Sequence, residues 1–142
     1  MWMNNGLGEV ELVGERNALR PGDRLNSNMA PTVGRHVDGR LLAIGSPGAD
    51  RITSAIAQAL LSLDRGMTAA EAVSAPRVHV HIDSSTVVAY EPGLEMPEIA
   101  DTVKAYEELH MYFGGVGLAI ESPDGTMVAA TDPRRNGATL VR

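Results

Sequence analysis

The sequence predicts an α+β domain in which helices pack on a mostly antiparallel sheet. Three observations lead to this prediction. Apolar residues alternate with polar ones in several short segments, whereas in longer segments they recur at spacings of three and four. The short segments are joined by brief turns, and strands joined in this way pair antiparallel. The length of 142 residues allows one sizeable core, so we expect residues 1–142 to form a single domain.

The composition excludes several classes of protein. Hydrophobic residues make up 44% and charged residues 21% of the chain, as in ordinary globular domains. The formal net charge of −6, without a basic block, argues against a nucleic-acid partner. The absence of cysteine excludes disulfides and thiolate chemistry. The sequence has neither a signal-peptide pattern nor an apolar run of membrane-spanning length, so we expect no membrane partner, and the compartment stays open.

The N-terminal third of the chain predicts a loop followed by a hairpin. Residues 1–30 have no clear period, which indicates a functional loop or a segment ordered by a partner. The segments 33–37 and 40–44 then flank Asp38-Gly39. This arrangement predicts a β-hairpin with a two-residue type I′ turn.

The remaining elements are organised around the small-residue stretch 45–50. An apolar strand leads into it, and a helix predicted over 51–64 leads out and ends at Gly66. The apolar stripe of that helix comprises Ile52, Ala55, Ile56, Ala59, Leu60 and Leu63. A turn of this kind leaves backbone N–H groups free at the positive end of a helix, where a phosphate, a carboxylate or a developing oxyanion can bind. The alternative is a tight turn whose residues are small for packing alone.

Shorter elements follow this helix. Thr68 and Glu71 form a predicted capping box, and their helix ends near Ala75 because Pro76 follows. Two strands are predicted over 78–83 and 86–91, and a final hairpin over 116–121 and 126–131. Between them, a helix is predicted from Pro97 to the residues before Gly114-Gly115, with an apolar stripe of Ile99, Val103, Tyr106 and Leu109.

One strand carries possible metal ligands. His79, His81 and Asp83 alternate with apolar residues in a predicted half-buried strand, so they share one face. Two imidazoles and a carboxylate can bind a divalent metal, which would make the protein a small metal-dependent enzyme. The alternative is a solvated strand face. The sequence pattern supplies no fourth ligand, so we expect no metal and no other cofactor.

Four stretches are more specific when they are taken together and in order. They are Asn4-Asn5 with Gly8-Glu9, Ser27-Asn28-Met29-Ala30-Pro31-Thr32, Gly45-Ser46-Pro47-Gly48-Ala49, and Ala75-Pro76-Arg77 with Val78-His79. Phe113-Gly114-Gly115-Val116 and Asp132-Pro133-Arg134 extend the series. The ordered set resembles the C-terminal part of the small subunit of the γ-glutamyltransferase (γ-glutamyltranspeptidase) family, and it covers nearly the whole chain.

The resemblance implies a fold and an activity. The fold is part of an N-terminal-nucleophile hydrolase αββα sandwich, in which two sheets lie between helix layers. The activity is acyl transfer from γ-glutamyl amides such as glutathione, through a γ-glutamyl ester on an N-terminal threonine whose own amino group acts as base. No cofactor is implied.

The resemblance also assigns roles to residues of this sequence. Gly48 and Ala49 stand at the paired glycines whose N–H groups form the oxyanion hole. Alanine keeps that N–H, so the role survives if the turn needs no positive φ there. Ser27 and Asn28 stand at the serine pair that holds the substrate α-carboxylate, and Glu9 stands at or beside the acidic residue that grips the substrate ammonium.

The family's nucleophilic threonine precedes the Asn4-Asn5 motif, so we expect this chain to be inactive by itself. Completed by that segment, it would act on a small γ-glutamyl substrate. We expect a homo-oligomer or a partner resembling the family's large subunit. The alternative is a non-catalytic remnant or interaction protein that keeps the fold and oligomerises through exposed sheet edges.

Overall fold

The structure, a computed structural model, describes residue 12 and residues 20–82, 86–95 and 102–141. Its helices are α1 (Ile52–Asp64) and α2 (Ala69–Ser74), with short 3-10 turns at Ala49–Arg51, Met111–Phe113 and Pro133–Arg135. Its strands are β1 (Thr32–Arg35), β2 (Leu41–Gly45), β3 (Val78–Ile82), β4 (Thr86–Tyr90), β5 (Thr102–Ala105), β6 (Gly117–Glu121) and β7 (Met127–Thr131). Within this described part, no helix is both long enough and apolar enough to span a bilayer.

The strands form two sheets. The first has the order β1-β2-β6-β7, and all of its pairs are antiparallel. The second has the order β3-β4-β5, in which β3 and β4 are antiparallel and β4 and β5 are parallel. The predicted α+β class with a mostly antiparallel sheet is therefore confirmed, with β5 as the exception.

The hairpin of β1 and β2 is confirmed, but its turn is longer than predicted. The N–H of His36 donates to Arg40 O at 2.8 Å, and the N–H of Gly39 donates to His36 O at 3.0 Å. Three residues therefore form the loop, and Gly39 adopts a positive φ of 93°. This is a type I turn closed by a left-handed glycine, the usual form of a three-residue hairpin loop.

Helix α1 ends at a Schellman motif, as Gly66 predicts. The N–H of Gly66 donates to Leu63 O at 3.0 Å, and the N–H of Met67 donates to Ser62 O at 3.1 Å. The predicted apolar stripe faces the core. The core cluster lies between α1, α2 and one face of the first sheet, and its buried members are Ile44, Ile52, Ala55, Ile56, Ala59, Ala69, Val73, Val116, Leu118 and Ala130.

Helix α2 begins with the predicted capping box. The N–H of Glu71 donates to Thr68 Oγ1 at 3.3 Å, and the N–H of Thr68 donates to Glu71 Oε2 at 2.8 Å. The helix ends at Ser74, two residues before Pro76. The carbonyl groups at its C-terminal end therefore face the strands, where they accept hydrogen bonds from arginine side chains.

The helix predicted from Pro97 to Gly114 is wrong wherever the structure describes that stretch. Residues 102–105 form β5, and residues 106–110 are irregular. Val103 is 46% exposed on the strand, whereas Tyr106 stacks on Tyr112 with ring centroids 5.6 Å apart. Val103 and Tyr106 are three residues apart but lie in different local structures, so they do not share one face of a helix. Residues 96–101, which include Ile99, lie outside the described part.

Strand β3 is confirmed, but its faces are opposite to the expectation for an alternating strand. His79 is 8% exposed, whereas Val80 is 48% and Ile82 is 76% exposed. The histidines point toward the start of α1, where Ser54 and Asp50 offer polar partners. Hydrogen-bond partners, rather than hydropathy, decide which face of this strand is inward.

Candidate active site

The turn between β2 and α1 presents two backbone donors. Gly48 has φ 135°, Ala49 has φ 52°, and the N–H of Arg51 donates back to Gly48 O at 2.9 Å. Within the described part of the chain, the N–H groups of Gly48 and Ala49 donate to no acceptor. Free N–H groups at the start of a helix are suited to bind an oxyanion.

The sequence alone does not show whether the turn needs a positive φ at Ala49. The turn does require the left-handed region at this position, and the alanine adopts it with φ 52°. A left-handed non-glycine residue costs on the order of 1–2 kcal/mol. The N–H therefore keeps its place at the expense of backbone strain, which folded proteins retain mostly at functional sites.

Gly114 lies directly beneath this turn. A β-carbon on Gly48 would come within 3.2 Å of Gly114 Cα. A β-carbon on Gly114, which has φ 89°, would come within 2.7 Å of Ser46 Oγ and 3.0 Å of Pro47 O. Both glycines are therefore needed for close approach as well as for conformation. This packing gives a physical reason for the Phe113-Gly114-Gly115-Val116 motif.

A buried network of charged residues holds the segment that carries Gly114. Arg77, Glu91, Asp132 and Arg134 are each at most 8% exposed. Arg77 Nη1 lies 2.7 Å from Asp132 Oδ2, and Arg134 Nη1 lies 3.0 Å from Asp132 Oδ1. Arg134 Nε donates to Glu91 Oε1 at 2.7 Å, and its Nη2 pairs with Glu91 Oε2. The four charges compensate one another as two pairs, as buried ions require.

The same network binds backbone groups of several segments. Glu91 accepts from the N–H of His110 at 2.8 Å, and Asp132 accepts from the N–H of Val116 at 2.9 Å. Arg77 donates to Phe113 O at 3.0 Å. Both arginines also donate to Val73 O at the carbonyl end of α2, at 2.9 Å each. Cations at that end also complement the helix dipole.

Burial and pairing shift the pKa values within this network. Burial by itself raises the pKa of Asp132, but hydrogen bonds from the backbone N–H groups of Arg134 and Val116 and the charge of Arg77 outweigh it, and the pKa falls below its ordinary value. Burial lowers the pKa of Arg77, and the nearby positive charge of Arg134 adds to that effect. Arg77 nevertheless stays protonated, as arginines do in proteins.

Asp50 continues the turn toward the second sheet. Its Oδ1 is paired with Arg51 Nη1, and its Oδ2 lies 3.2 Å from His81 Nδ1. The Arg51 guanidinium lies 4.6 Å from the centre of the Tyr112 ring. Burial lowers the pKa of His79 and raises the pKa of Tyr112, so both side chains are neutral near pH 7.

The other residues predicted for the site belong to other segments of the chain. Ser27 and Asn28 belong to the irregular segment that precedes β1, where Ser27 Oγ accepts from the N–H of Met29 at 3.2 Å. Glu9 lies outside the described residues, as does Asp83 of the proposed metal set. No sequence pattern singles out Glu91 or the Asp50 side chain, because their roles depend on partners that are distant along the chain.

Comparison with known proteins decides the family. A family model described as γ-glutamyltranspeptidase matches residues 3–141. The chain belongs to this family. A glutathione hydrolase proenzyme of Escherichia coli K12 is 34% identical over 128 residues, which cover 85% of this chain and 21% of that relative. The chain thus spans about one fifth of the length of this curated relative.

Solved structures agree with this assignment. A γ-glutamyltranspeptidase of Pseudomonas nitroreducens complexed with L-DON superimposes with a TM-score of 0.69 and 26% identity, covering 91% of this chain and 69% of that one. The transpeptidase CapD of Bacillus anthracis has a TM-score of 0.70 and 26% identity, covering 86% of this chain and 75% of that one. The chain thus forms part of the N-terminal-nucleophile hydrolase fold that the family resemblance implies.

Proposed function

We propose that this chain forms the oxyanion-binding part of an enzyme that transfers γ-glutamyl groups from amides such as glutathione. The observation that carries the proposal is the pair of N–H groups on Gly48 and Ala49 just before α1, which donate to no acceptor among the described residues. The names of its relatives, glutathione hydrolase and γ-glutamyltranspeptidase, supply the substrate class.

The proposed reaction begins with the attack of a threonine hydroxyl on the γ-carbonyl carbon of the substrate. The hydroxyl proton passes to the threonine amino group, and the carbonyl oxygen becomes an oxyanion that accepts hydrogen bonds from Gly48 and Ala49. Collapse of this intermediate expels the amine, which takes up the proton, and leaves a γ-glutamyl ester. Water or an acceptor amine then releases the γ-glutamyl group. No described residue is assigned as the nucleophile.

Substrate binding is proposed for residues on the segment that precedes β1. Ser27 and Asn28 would donate hydrogen bonds to the α-carboxylate, and Glu9 would accept from the ammonium. The exposure of Ser27 leaves its hydroxyl accessible to a ligand. Replacing Ser27 by Ala should raise KM for a γ-glutamyl anilide more than it lowers kcat.

Steady-state assays with a γ-glutamyl anilide test the proposal. The chain alone should be inactive, and addition of the large subunit and nucleophile-bearing segment of a homologous enzyme should restore turnover. An oxyanion-hole donor contributes on the order of 3 kcal/mol. Valine keeps the N–H but is strained at φ 135° and would displace it, so Gly48→Val should then lower kcat by up to about 100-fold with little change in KM. Gly45→Ala is the matched control, since a β-carbon there meets no atom within 4 Å.

Two results would reject this function. The first is turnover by the chain alone that is lost on mutation of a residue within it. The second is persistent inactivity of the completed and folded complex, which would favour a non-catalytic interaction protein. Circular dichroism of each variant separates loss of chemistry from loss of fold.

We also propose that the chain self-associates through the outer face of its first sheet. A groove of about 360 Å³ on this face is lined mainly by Val33, Leu41, Ala43, Ala119 and Met127. Val33 is 83% exposed, and it lies on β1 at one edge of that sheet. Exposed apolar faces and strand edges favour pairing with another chain, and a two-fold dimer is the commonest closed form.

Light scattering over a dilution series tests this association. Val33→Glu should shift the chain toward monomer, because it buries a charge in the interface. Val37→Glu is the control, since Val37 is 99% exposed at the hairpin tip. A monomer at every concentration would contradict the association.

A further inference from the structure

Three possible metal ligands converge beside the Gly48 turn. Asp50, His79 and His81 each offer a ligand atom, and these atoms lie within 4.8 Å of one another. Asp50 Oδ2 is 3.2 Å from His81 Nδ1 and 3.6 Å from His79 Nε2. The sequence pattern grouped the two histidines with Asp83, which lies outside the described residues, and did not include Asp50. Asp50 joins them because the turn directs its side chain toward β3.

The hydrogen bonds around His79 leave one ring nitrogen directed at this cluster. Ser54 Oγ donates its only proton to Arg51 O, at 3.0 Å. The contact of 2.9 Å between Ser54 Oγ and His79 Nδ1 therefore has the imidazole as donor. In the neutral ring, Nε2 then carries a lone pair, and it faces a carboxylate oxygen of Asp50. Two acceptors that face each other are stabilised by a cation between them.

We propose that Asp50, His79 and His81 bind a divalent first-row transition metal, with Zn²⁺ as the expected ion. Two imidazole nitrogens and one carboxylate oxygen suit zinc, whereas magnesium and calcium prefer oxygen ligands alone. The His81 side chain is 44% exposed, so the cluster is open to solvent on that side. Water would complete the coordination.

The surroundings of the cluster hold its ligands in place. The Gln58 side chain on α1 donates to Val78 O and accepts from the N–H of Val78, at 2.9 Å in both bonds. These bonds fasten β3 to the helix that follows Asp50. Ser54 orients the His79 ring, which is the usual task of a residue behind a metal ligand.

The two oxygens of the Asp50 carboxylate have different partners. The Arg51 guanidinium is paired with Oδ1, whereas Oδ2 faces both histidines. One oxygen is thus available to a metal without breaking the ion pair. Because Asp50 directly follows Ala49, the bound ion would tie the oxyanion turn to β3 and act as a structural clamp.

Metal binding by the full chain, purified without a histidine tag and stripped with a chelator, tests this proposal. Titration with Co²⁺ should give the visible absorption of a low-symmetry cobalt site at one ion per chain, and Zn²⁺ should displace it. His81→Ala and Asp50→Asn should each weaken binding by at least about 10-fold. Ser54→Ala, which removes only the residue behind the ligand, should weaken it by about 10-fold to 100-fold.

His36→Ala is the matched control for this titration. His36 Nδ1 lies 2.9 Å from Asp38 Oδ1 on the exposed hairpin, so it forms a His–Asp pair outside the cluster. Binding that is unchanged in this variant and lost in His81→Ala supports the proposal. Absence of binding, or an equal loss in His36→Ala, would overturn it by assigning any bound metal to surface histidines. Circular dichroism checks that each variant is folded.

Discussion

The Ser46 hydroxyl accepts a hydrogen bond from the N–H of Gly115 at 3.1 Å, across 69 residues of sequence. The same hydroxyl donates to Pro47 O at 2.8 Å, so it joins the Gly48 turn to the chain that passes beneath it. That lower chain is held in turn by the buried charged network. The geometry of the turn therefore depends on residues near the end of the sequence.

Substitution of Gly48 by Ala should destabilise the protein by about 1–3 kcal/mol, because alanine is strained at φ 135° and its methyl group would press on Gly114. Gly45→Ala, on the adjoining strand, should change stability by about 0.5 kcal/mol or less. Urea unfolding of both variants gives the comparison. Equal effects would mean that the close approach is not constraining.

Ala49→Gly should act in the opposite direction. It relieves a left-handed alanine, a gain of about 1–2 kcal/mol, and loses a buried methyl group, a cost of about 0.8 kcal/mol. A small net stabilisation is expected. Ala57→Gly, at an exposed position of α1, should instead destabilise by about 1 kcal/mol. Shifts of the urea midpoint in opposite directions, up for Ala49→Gly and down for Ala57→Gly, would support this account. Destabilisation by both variants would argue against strain at Ala49.

Arg134→Met should cost about 3–5 kcal/mol, because it leaves Glu91 buried without its main partner. The comparison is Arg40→Met, which removes an exposed partner of Asp38 and should leave the urea midpoint nearly unchanged. The double variant Arg134→Met, Glu91→Met should recover part of the loss, because no unpaired charge remains at that pair. A double variant less stable than Arg134→Met would show that the loss is one of packing.

Acid should destabilise the protein through Asp132. Its pKa is lower in the folded chain than its ordinary value of 3.8, so its stabilising contribution is present above that value and is lost as the pH falls through the folded pKa. Asp132→Asn should therefore be less stable near pH 7 and should lose less stability on acidification. Asp64→Asn, at the exposed end of α1, should retain the wild-type dependence. Urea unfolding at a series of pH values measures the slopes.

The elements defined by local chemistry were predictable from the sequence. The Asp38-Gly39 hairpin, the stripe and glycine stop of α1 and the capping box of α2 each depend on residues within a few positions of one another. The features that were predicted wrongly depend instead on contacts between residues that are far apart in the sequence. β5 is a strand because it pairs with β4. His79 points inward because it forms a hydrogen bond with Ser54, which lies 25 residues earlier in the sequence.

The candidate site divides in the same way. The Gly48 turn was predictable because a strand, small residues and a helix start are adjacent in sequence. The residues that hold this turn in place, such as Gly114 and Arg134, belong to motifs in the sequence, but the sequence does not show what those motifs contact. Glu91 is the clearest case, because nothing in its neighbourhood distinguishes it from a surface carboxylate until Arg134 is placed beside it.

The buried network also imposes an order on folding during synthesis. Arg134 bonds to Val73 O across 61 residues, so the carbonyl end of α2 stays incompletely paired until Arg134 has left the ribosome. Proteins are made at about 5–20 residues per second, which leaves the Gly48 turn without its support for seconds. Nascent chains stalled before Asp132 should therefore be cut readily by protease near this turn, and chains released after Arg134 should resist. Arg134 thus completes the support of a turn whose backbone was synthesised well before it.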